Sequence, residues 1–178
     1  MLFRVNRDCE GLTLVEVLVA LVIMGAIVGV IITSIMVMDT TVGKGRNRVY
    51  AISQVRNAQL WIQRDGKMAR EIDINTGSPS GLPLTLRWVD WSGTKNEVSY
   101  YIEDNYLRRS HIEKTASDSE IASHITMIAD SILTGSPHTV CQSGTGTYFS
   151  FTITASEGNG KYEGRAKRVF EVQPRPGS

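Results

Sequence analysis

Residues 11–38 read GLTLVEVLVALVIMGAIVGVIITSIMVM, and this stretch decides what kind of protein the chain is. From residue 12 onward it is almost entirely apolar, and Glu16 is its only charged side chain. As an α-helix, residues 12–38 would be about 40 Å long, which exceeds the thickness of a bilayer's hydrocarbon core. A cleavable secretory signal has a shorter apolar core followed by a small-x-small site, and neither feature fits here. The sequence therefore predicts a membrane-spanning helix.

The remainder of the chain has the composition of one soluble domain. The protein has 178 residues, with 19 Lys and Arg against 18 Asp and Glu, so its formal net charge is +1. The chain therefore lacks the net positive charge that is typical of nucleic-acid-binding proteins. The two cysteines, Cys9 and Cys141, flank the apolar run and would lie on opposite sides of a membrane, which excludes a disulfide between them within one chain.

Gly11 and Glu16 set this helix apart from an ordinary membrane anchor. A charged side chain at the bilayer midplane costs about 2.5–3.5 kcal/mol on insertion scales, so Glu16 is a candidate functional residue. An acid in the first turn also complements the positive end of the helix dipole, and this structural explanation stays open. Gly25 and Gly29 form a GxxxG pattern, a spacing that permits helices to pack closely.

The polar head that ends in Gly11, followed by an apolar helix with Glu16 near its start, resembles the class III signal of type IV pilins and type II secretion pseudopilins. The resemblance implies that a prepilin peptidase cuts between Gly11 and Leu12 and that the new amine of Leu12 is methylated. It also implies that Glu16 pairs with the amine of a neighbouring subunit during assembly. The leader departs from the family pattern because two acids offset its two arginines, which weakens the positive-inside argument for orientation.

The same resemblance implies a location and a set of partners. We expect a single-pass protein of the cytoplasmic (inner) membrane, with its C-terminal domain outside the cytoplasm, that later enters a pilus or pseudopilus filament. The expected partners are other pilin or pseudopilin subunits, the prepilin peptidase, the inner-membrane assembly platform, and membrane lipid before assembly. The missing C-terminal cysteine pair and the moderately large domain favour a minor subunit over the abundant shaft pilin.

Residues 39–75 predict an amphipathic continuation of the helix, since apolar residues recur there at helical spacing: Ile52, Val55, Ala58, Ile62, Ala69 and Ile72. Gly43 and Gly45 each lower helix propensity by about 1 kcal/mol, so they mark a soft point. Asp65 falls near the apolar stripe, where we expect it to cap a neighbouring loop or to be a satisfied core acid.

Residues 76–178 predict a globular, antiparallel β-rich domain. Apolar and polar residues alternate from Leu84 to Trp88, and turn residues stand at Asp104-Asn105 and at Gly158-Asn159-Gly160. The segment that carries Ile121, Ile125, Ile128 and Ile132 stays ambiguous, because its spacing is helical but its residues are β-branched. With a leader at residues 1–11 and a transmembrane and assembly helix at residues 12–38, the expected fold is α+β: a long N-terminal helix packed on an antiparallel sheet.

The sequence offers no catalytic or metal motif, so we expect neither an enzyme nor a bound cofactor. The three histidines, at 111, 124 and 138, look isolated from one another and from the cysteines. Arg108-Arg109 and residues 165–168 give small basic spots that we interpret as solvated strand faces. Cys141 reads as a lone thiol. We expect Trp61, Trp88 and Trp91 to lie in the core or on the sheet surface, although an exposed Trp91 could serve a partner.

Two other functions remain open at this stage. One is a filament-tip module that binds an exported protein, a surface or DNA through its globular domain, although nothing in the sequence selects such a ligand. The other is an unrelated exported protein held by an uncleaved signal anchor. The N-terminus of the protein taken from membranes separates the second from the filament classes.

Overall fold

The computed structural model of the protein describes residues 13–144 and 148–175. It has two compact units, Met1–Val42 and Gly43–Ser178. A single helix, α1 (Leu14–Met68), contributes to both units. The helix is continuous through Gly43 and Gly45, at the predicted soft point, because no proline interrupts the backbone hydrogen bonds there.

In the described residues of the second unit, 43–144 and 148–175, eight antiparallel strands follow the helix and form two sheets. The first sheet has five strands in chain order: β1 (Glu71–Ile74), β2 (Leu84–Val89), β3 (Lys95–Glu103), β4 (Tyr106–Lys114) and β5 (Glu120–Ala129). The second has three: β6 (Val140–Ser143), β7 (Phe149–Glu157) and β8 (Gly164–Val172), with a short 3-10 turn, Gly160–Tyr162, before β8. The predicted α+β class is confirmed. The sequence analysis expected one antiparallel sheet and did not predict that the strands divide into two.

One hydrophobic core joins the helix to both sheets. The helix contributes Ala51, Val55, Ala58 and Ile62. The last three belong to the stripe that the sequence predicted, but Ile52 of that stripe is exposed and Ala51 is buried in its place. The sheets contribute the inward members of their alternating strands: Leu84, Leu86, Val98, Tyr100, Leu107, Phe149, Phe151 and Ile153. Each fully buried Leu, Ile or Phe stabilises the fold by about 1.5–3 kcal/mol, so this shared core fixes where every strand lies.

The predicted continuation of the helix to residue 75 was wrong at its end. The helix stops at Met68, and Glu71–Ile74 forms strand β1, in which charged and apolar residues alternate with a period of two. Ile72 therefore pairs with Leu86 of β2 instead of extending the helical stripe. The ambiguous segment is also settled, since Ile121, Ile125 and Ile128 lie in strand β5.

The predicted turns are present and have the required backbone conformation. Asp104 and Asn105 join β3 to β4 with φ values of 52° and 64°. Gly158 follows β7 with φ of 80° and also lies against the helix, since a Cβ there would come 2.3 Å from the amide nitrogen of Asn47. Asp and Asn tolerate this left-handed region better than other side chains, which explains their place in the turn.

Gly66 allows the helix to approach the second sheet closely. A Cβ built on Gly66 would lie 2.5 Å from Cγ1 of Val172 and 3.3 Å from Cζ of Phe149. Gly45 is different, because nothing lies within 4 Å of the Cβ it would carry. Packing therefore requires a glycine at position 66 but not at position 45.

Asp65 is a core acid, as one of the two sequence interpretations held, and its partners come from the first sheet. Arg109 Nε and the hydroxyl of Tyr100 both donate hydrogen bonds of 2.6 Å to Oδ2 of Asp65. The side chain of Asp65 is 1% exposed and that of Arg109 is 10% exposed. Burial alone would lower the pKa of Arg109, but the carboxylate outweighs that effect and raises it. This ion pair connects the helix to strands β3 and β4.

We expect Asp65→Asn to lower the free energy of unfolding by about 3–5 kcal/mol, because it leaves the guanidinium of Arg109 buried without a counter-charge. Urea unfolding of the detergent-solubilised chain measures this change, and Trp61, whose ring centroid lies 5.2 Å from Cζ of Arg109, provides a fluorescence signal. Asp118→Asn is the matched control, since it removes an exposed ion pair with Lys95 and should have little effect. Equal effects of the two substitutions would contradict the structural role of Asp65.

The two helical glycines give a second expected result. Gly66→Ala should destabilise the protein by about 1–3 kcal/mol through overpacking against Val172 and Phe149. Gly45→Ala should stabilise it by about 1 kcal/mol, because alanine has the higher helix propensity and meets no neighbour. The same urea titration compares the variants, and stabilisation by Gly66→Ala would mean that the close approach is not real.

Candidate functional site

The first unit exposes its apolar side chains instead of burying them. From Leu14 to Met38 nearly every large aliphatic side chain is about half exposed or more. The most apolar window of 18 residues in this helix has a mean hydropathy of 2.9, and none of it is buried. By length and composition the segment can cross a membrane once. Its apolar surface therefore needs lipid or other protein around it.

A capping box starts the helix. The hydroxyl of Thr13 accepts a hydrogen bond of 3.3 Å from the backbone N–H of Glu16. In return, Oε2 of Glu16 accepts bonds from the N–H of Thr13 at 2.9 Å and from its hydroxyl at 3.0 Å. The first N–H groups of a helix have no partner within the helix, and this reciprocal arrangement satisfies two donors at that end.

The capping box gives Glu16 a structural role in the isolated chain, and it leaves one carboxylate oxygen available for a second contact. Both of its bonds from Thr13 fall on Oε2, and no described residue donates a hydrogen bond to Oε1. The sequence analysis noted the acid and its dipole effect but missed Thr13. The signal was present, because Thr13-Leu14-Val15-Glu16 fits the pattern in which Ser or Thr precedes Glu by three residues.

Gly25 and Gly29 lie within the exposed apolar helix, where a Cβ on either would meet nothing within 4 Å. They form a shallow notch on the surface of the helix. Thr33 stands one further turn along and donates its hydroxyl to the carbonyl of Gly29 at 2.6 Å. Small residues spaced by four permit a second helix to approach closely, so the notch is suited to helix packing.

The hydroxyl groups between residues 33 and 41 do not prevent this helix from entering lipid. The hydroxyls of Thr33, Ser34, Thr40 and Thr41 each donate to a helix carbonyl three or four residues earlier, at distances between 2.6 and 3.2 Å. A hydroxyl bonded in this way is not left without a partner in an apolar medium. The helix therefore satisfies its own hydroxyls.

Gly11 and Leu12, the predicted cleavage and methylation residues, lie outside the described residues, as does Cys9. The described part of the predicted site is Glu16 with Gly25 and Gly29. These residues lie along one helix and do not form a pocket. A site of this kind binds other helices or a membrane enzyme; the described residues offer it no nucleophile paired with a base.

Two interpretations of residues in the second unit were wrong. His111 and His124 are not isolated from each other, because they are cross-strand partners in β4 and β5. His111 is half-buried, bonds Oδ1 of Asn96 at 2.8 Å, and has a pKa lowered by burial and then by Arg109. Arg109 is not on a solvated strand face, since it pairs with Asp65 in the core.

One other prediction for the second unit was confirmed. Cys141 is a free thiol, buried in the core, and burial raises its pKa to about 12, so it is unreactive at neutral pH. The expectation that Trp91 lies in the core or on the sheet surface was wrong, because this side chain is 98% exposed on the turn between β2 and β3. Among the described residues there is no group of three or more His, Cys, Asp and Glu side chains that could hold a metal ion.

The comparisons with known proteins agree with the geometry of the first unit. Residues 6–37 match the family model of the prokaryotic N-terminal methylation motif, a range that contains Gly11, Leu12 and Glu16. Neither the search of curated proteins nor the search of solved structures finds a match to the chain. The motif implies interaction with other pilin subunits and with prepilin peptidase in general. The chain carries this motif on an exposed apolar helix, and the match supports its assignment to the type IV pilin and pseudopilin family.

Proposed function

We propose that the protein is a minor pilin-like subunit that assembles into a type IV pilus or a type II secretion pseudopilus. Residues 1–11 are its leader, a prepilin peptidase cuts after Gly11, and the amine of Leu12 is methylated. The observation that carries the proposal is the methylation motif over residues 6–37, which coincides with a helix whose apolar side chains are exposed. The role is structural, and no turnover chemistry is part of it.

In this proposal the apolar helix has two successive environments. Before assembly its side chains contact lipid, and the second unit lies outside the cytoplasm. During assembly the helix leaves the inner membrane at the assembly platform and packs against the helices of sister subunits. Apolar surface is transferred from one apolar medium to another, so close packing and polar contacts, rather than burial from water, decide the direction. The notch at Gly25 and Gly29 permits such packing.

Glu16 supplies the polar contact. Cleavage creates a positive amine at Leu12, and a carboxylate with a free oxygen can pair with the amine of the neighbouring subunit. Two charges that are each costly in an apolar environment neutralise one another when they meet. Because the pair forms at only one axial offset between two helices, it also sets the register of the filament.

The minor-subunit assignment rests on the second unit. The described residues contain one cysteine, Cys141, and it is a buried free thiol, so they hold no disulfide-closed C-terminal loop. The moderately large domain of this unit, with two sheets in its described residues, also supports a minor subunit. An uncleaved signal anchor remains the competing explanation, and the N-terminus of the native protein distinguishes it from the filament classes.

We expect Gly11→Ala to abolish cleavage, because the peptidase reads the backbone at the residue before the cut. N-terminal mass spectrometry of membrane fractions should then find a chain that begins at Met1, whereas the unmodified sequence should begin at N-methylated Leu12. Gly45→Ala, which changes a glycine of the same helix away from the cut, is the control and should be processed normally. Normal processing of Gly11→Ala would contradict the assignment.

We expect Glu16→Ala to be cleaved normally but to enter filaments at least about tenfold less, since losing one member of a buried charge pair costs about 2–5 kcal/mol. Immunoblots of sheared filaments against membrane fractions measure the distribution. Glu120→Ala, at an exposed acid of β5, is the matched control.

Glu16→Gln separates the two tasks of this residue. An amide oxygen can still accept the hydrogen bonds of Thr13, so the variant keeps the cap and loses only the charge. If charge pairing drives assembly, Glu16→Gln fails as Glu16→Ala does. If capping is what matters, Glu16→Gln assembles normally and the pairing role is refuted, with the family assignment unaffected.

A further inference from the structure

Trp91 is the most exposed large apolar side chain of the second unit. It lies on the turn between β2 and β3 and is 98% exposed, so its ring contributes almost nothing to the core. Tryptophan is enriched among the residues that dominate protein–protein binding energy, because a rigid ring buries much surface at a low cost in conformational entropy. A fully exposed tryptophan therefore needs an explanation outside the fold.

The turn that carries Trp91 is rigid. Oδ1 of Asp90 accepts three hydrogen bonds, from the N–H and hydroxyl of Ser92 and from the N–H of Thr94, at 2.9, 2.6 and 3.0 Å. Gly93 closes the turn with φ of 83°, a conformation that side chains rarely adopt. These bonds, first of all the one from Ser92, lower the pKa of Asp90 and direct its charge into the turn. The ring of Trp91 is thus presented on a preformed backbone.

Three cations surround this ring without carboxylate partners. A cleft of about 590 Å³ beside Trp91 is lined by Lys67, Arg70 and Arg175. It is also lined by Asp90, whose Oδ1 accepts the three hydrogen bonds of the turn, so the cations outnumber the carboxylate three to one. The backbone N–H of Arg175 donates to the carbonyl of Ala69 at 3.1 Å, which holds the end of the described chain against the end of the helix. Within residues 13–144 and 148–175, no Asp or Glu oxygen lies within 4.0 Å of these three cationic groups.

On the adjoining surface, by contrast, the cations have carboxylate partners. Arg87 and Lys114 both pair with Glu97, and Lys95 pairs with Asp118. That surface, which shares Arg70 and Trp88 with the cleft, therefore alternates in sign. The unpaired cations of the cleft therefore contrast with the paired cations of the surface beside it.

We propose that this cleft is the docking site for an acidic, extended segment of a protein partner. Its carboxylates pair with Lys67, Arg70 and Arg175, and an apolar side chain beside them covers the ring of Trp91. A protein segment fits better than nucleic acid, because three cations match a few carboxylates, whereas a phosphate backbone would continue onto the carboxylates of Glu97 and Asp118. This inference goes beyond the proposed function and does not depend on processing of the leader, so either can fail without the other.

The test is equilibrium binding of labelled peptides to the full chain in detergent micelles, followed by fluorescence anisotropy. The probe is an eight-residue peptide of alternating Glu and Leu. Two comparison probes are the same peptide with Gln in place of Glu and a single-stranded eight-nucleotide DNA. We expect the acidic peptide to bind at least about tenfold more tightly than either comparison probe, and to weaken as salt is raised.

Variants of the protein test the location of binding. Trp91→Ala and the double variant Arg70→Gln/Arg175→Gln should each weaken binding of the acidic peptide about tenfold or more. The double variant Arg56→Gln/Arg168→Gln makes the same charge change at two exposed arginines elsewhere in the second unit and should bind as the unmodified protein does. All four substituted side chains of the two double variants are exposed, and equal thermal unfolding curves verify that each protein is folded.

Three results would overturn the proposal. The first is equal binding of the Glu and Gln peptides, and the second is equal weakening by the two double variants. The third is tighter binding of the DNA, which would assign the cleft to nucleic acid instead of protein.

Discussion

The structure depends on one constraint: the apolar surface of residues 14–38 has no partner within its own unit. At about 25 cal/mol per Å² of apolar surface, a helix exposed over this length is strongly disfavoured in water. Only a bilayer or the helices of other molecules can cover all of its faces at once. The chain meets the remaining requirement itself, because the cap at Thr13 and the hydroxyls that bond back to the helix leave few polar groups unsatisfied in an apolar medium.

The part of the same helix beyond Gly43 solves a different problem. Here one stripe is apolar, the other faces are polar, and the stripe is covered by the chain's own sheets. Its small residues, Ala51, Ala58 and Gly66, let the strands approach, and Gly164 of β8 does the same from the other side, since a Cβ there would come 2.1 Å from the backbone nitrogen of Arg48. The ion pair of Asp65 and Arg109 then fixes one arrangement among those that shape alone would permit.

The sequence predicted features that depend on local pattern and missed those that depend on distant pairing. Continuous apolarity predicted the first helix, period-two alternation predicted β2, and Asp104-Asn105 predicted a turn. A core acid was one of the two interpretations of Asp65, but its partner Arg109 stands 44 residues away and is placed by the register of β4. For the same reason Arg108 and Arg109 were treated alike, although alternation turns one outward and the other inward.

Local pattern also failed where two periods competed. The isoleucines of β5 stand three or four apart, as on a helix, yet the strand forms because β4 offers it a ladder of hydrogen bonds from Leu107 to Lys114. Ile121 and Ile125 remain exposed in that strand, so burial did not select the period. Ile72 also has helical spacing relative to the stripe before it. It nevertheless lies in a strand, β1, where it pairs with Leu86 of β2.

Glu16 illustrates why a structural explanation and a functional one need not exclude each other. The cap uses Oε2 and the backbone on its N-terminal side, and it keeps the carboxylate directed toward residue 13. In the proposed assembly, cleavage after Gly11 creates an amine at Leu12 of each subunit. The amine of a neighbouring subunit then approaches a carboxylate that the cap has already oriented. Orientation by the cap lowers the entropy lost on pairing, and the local role thereby supports the assembly role.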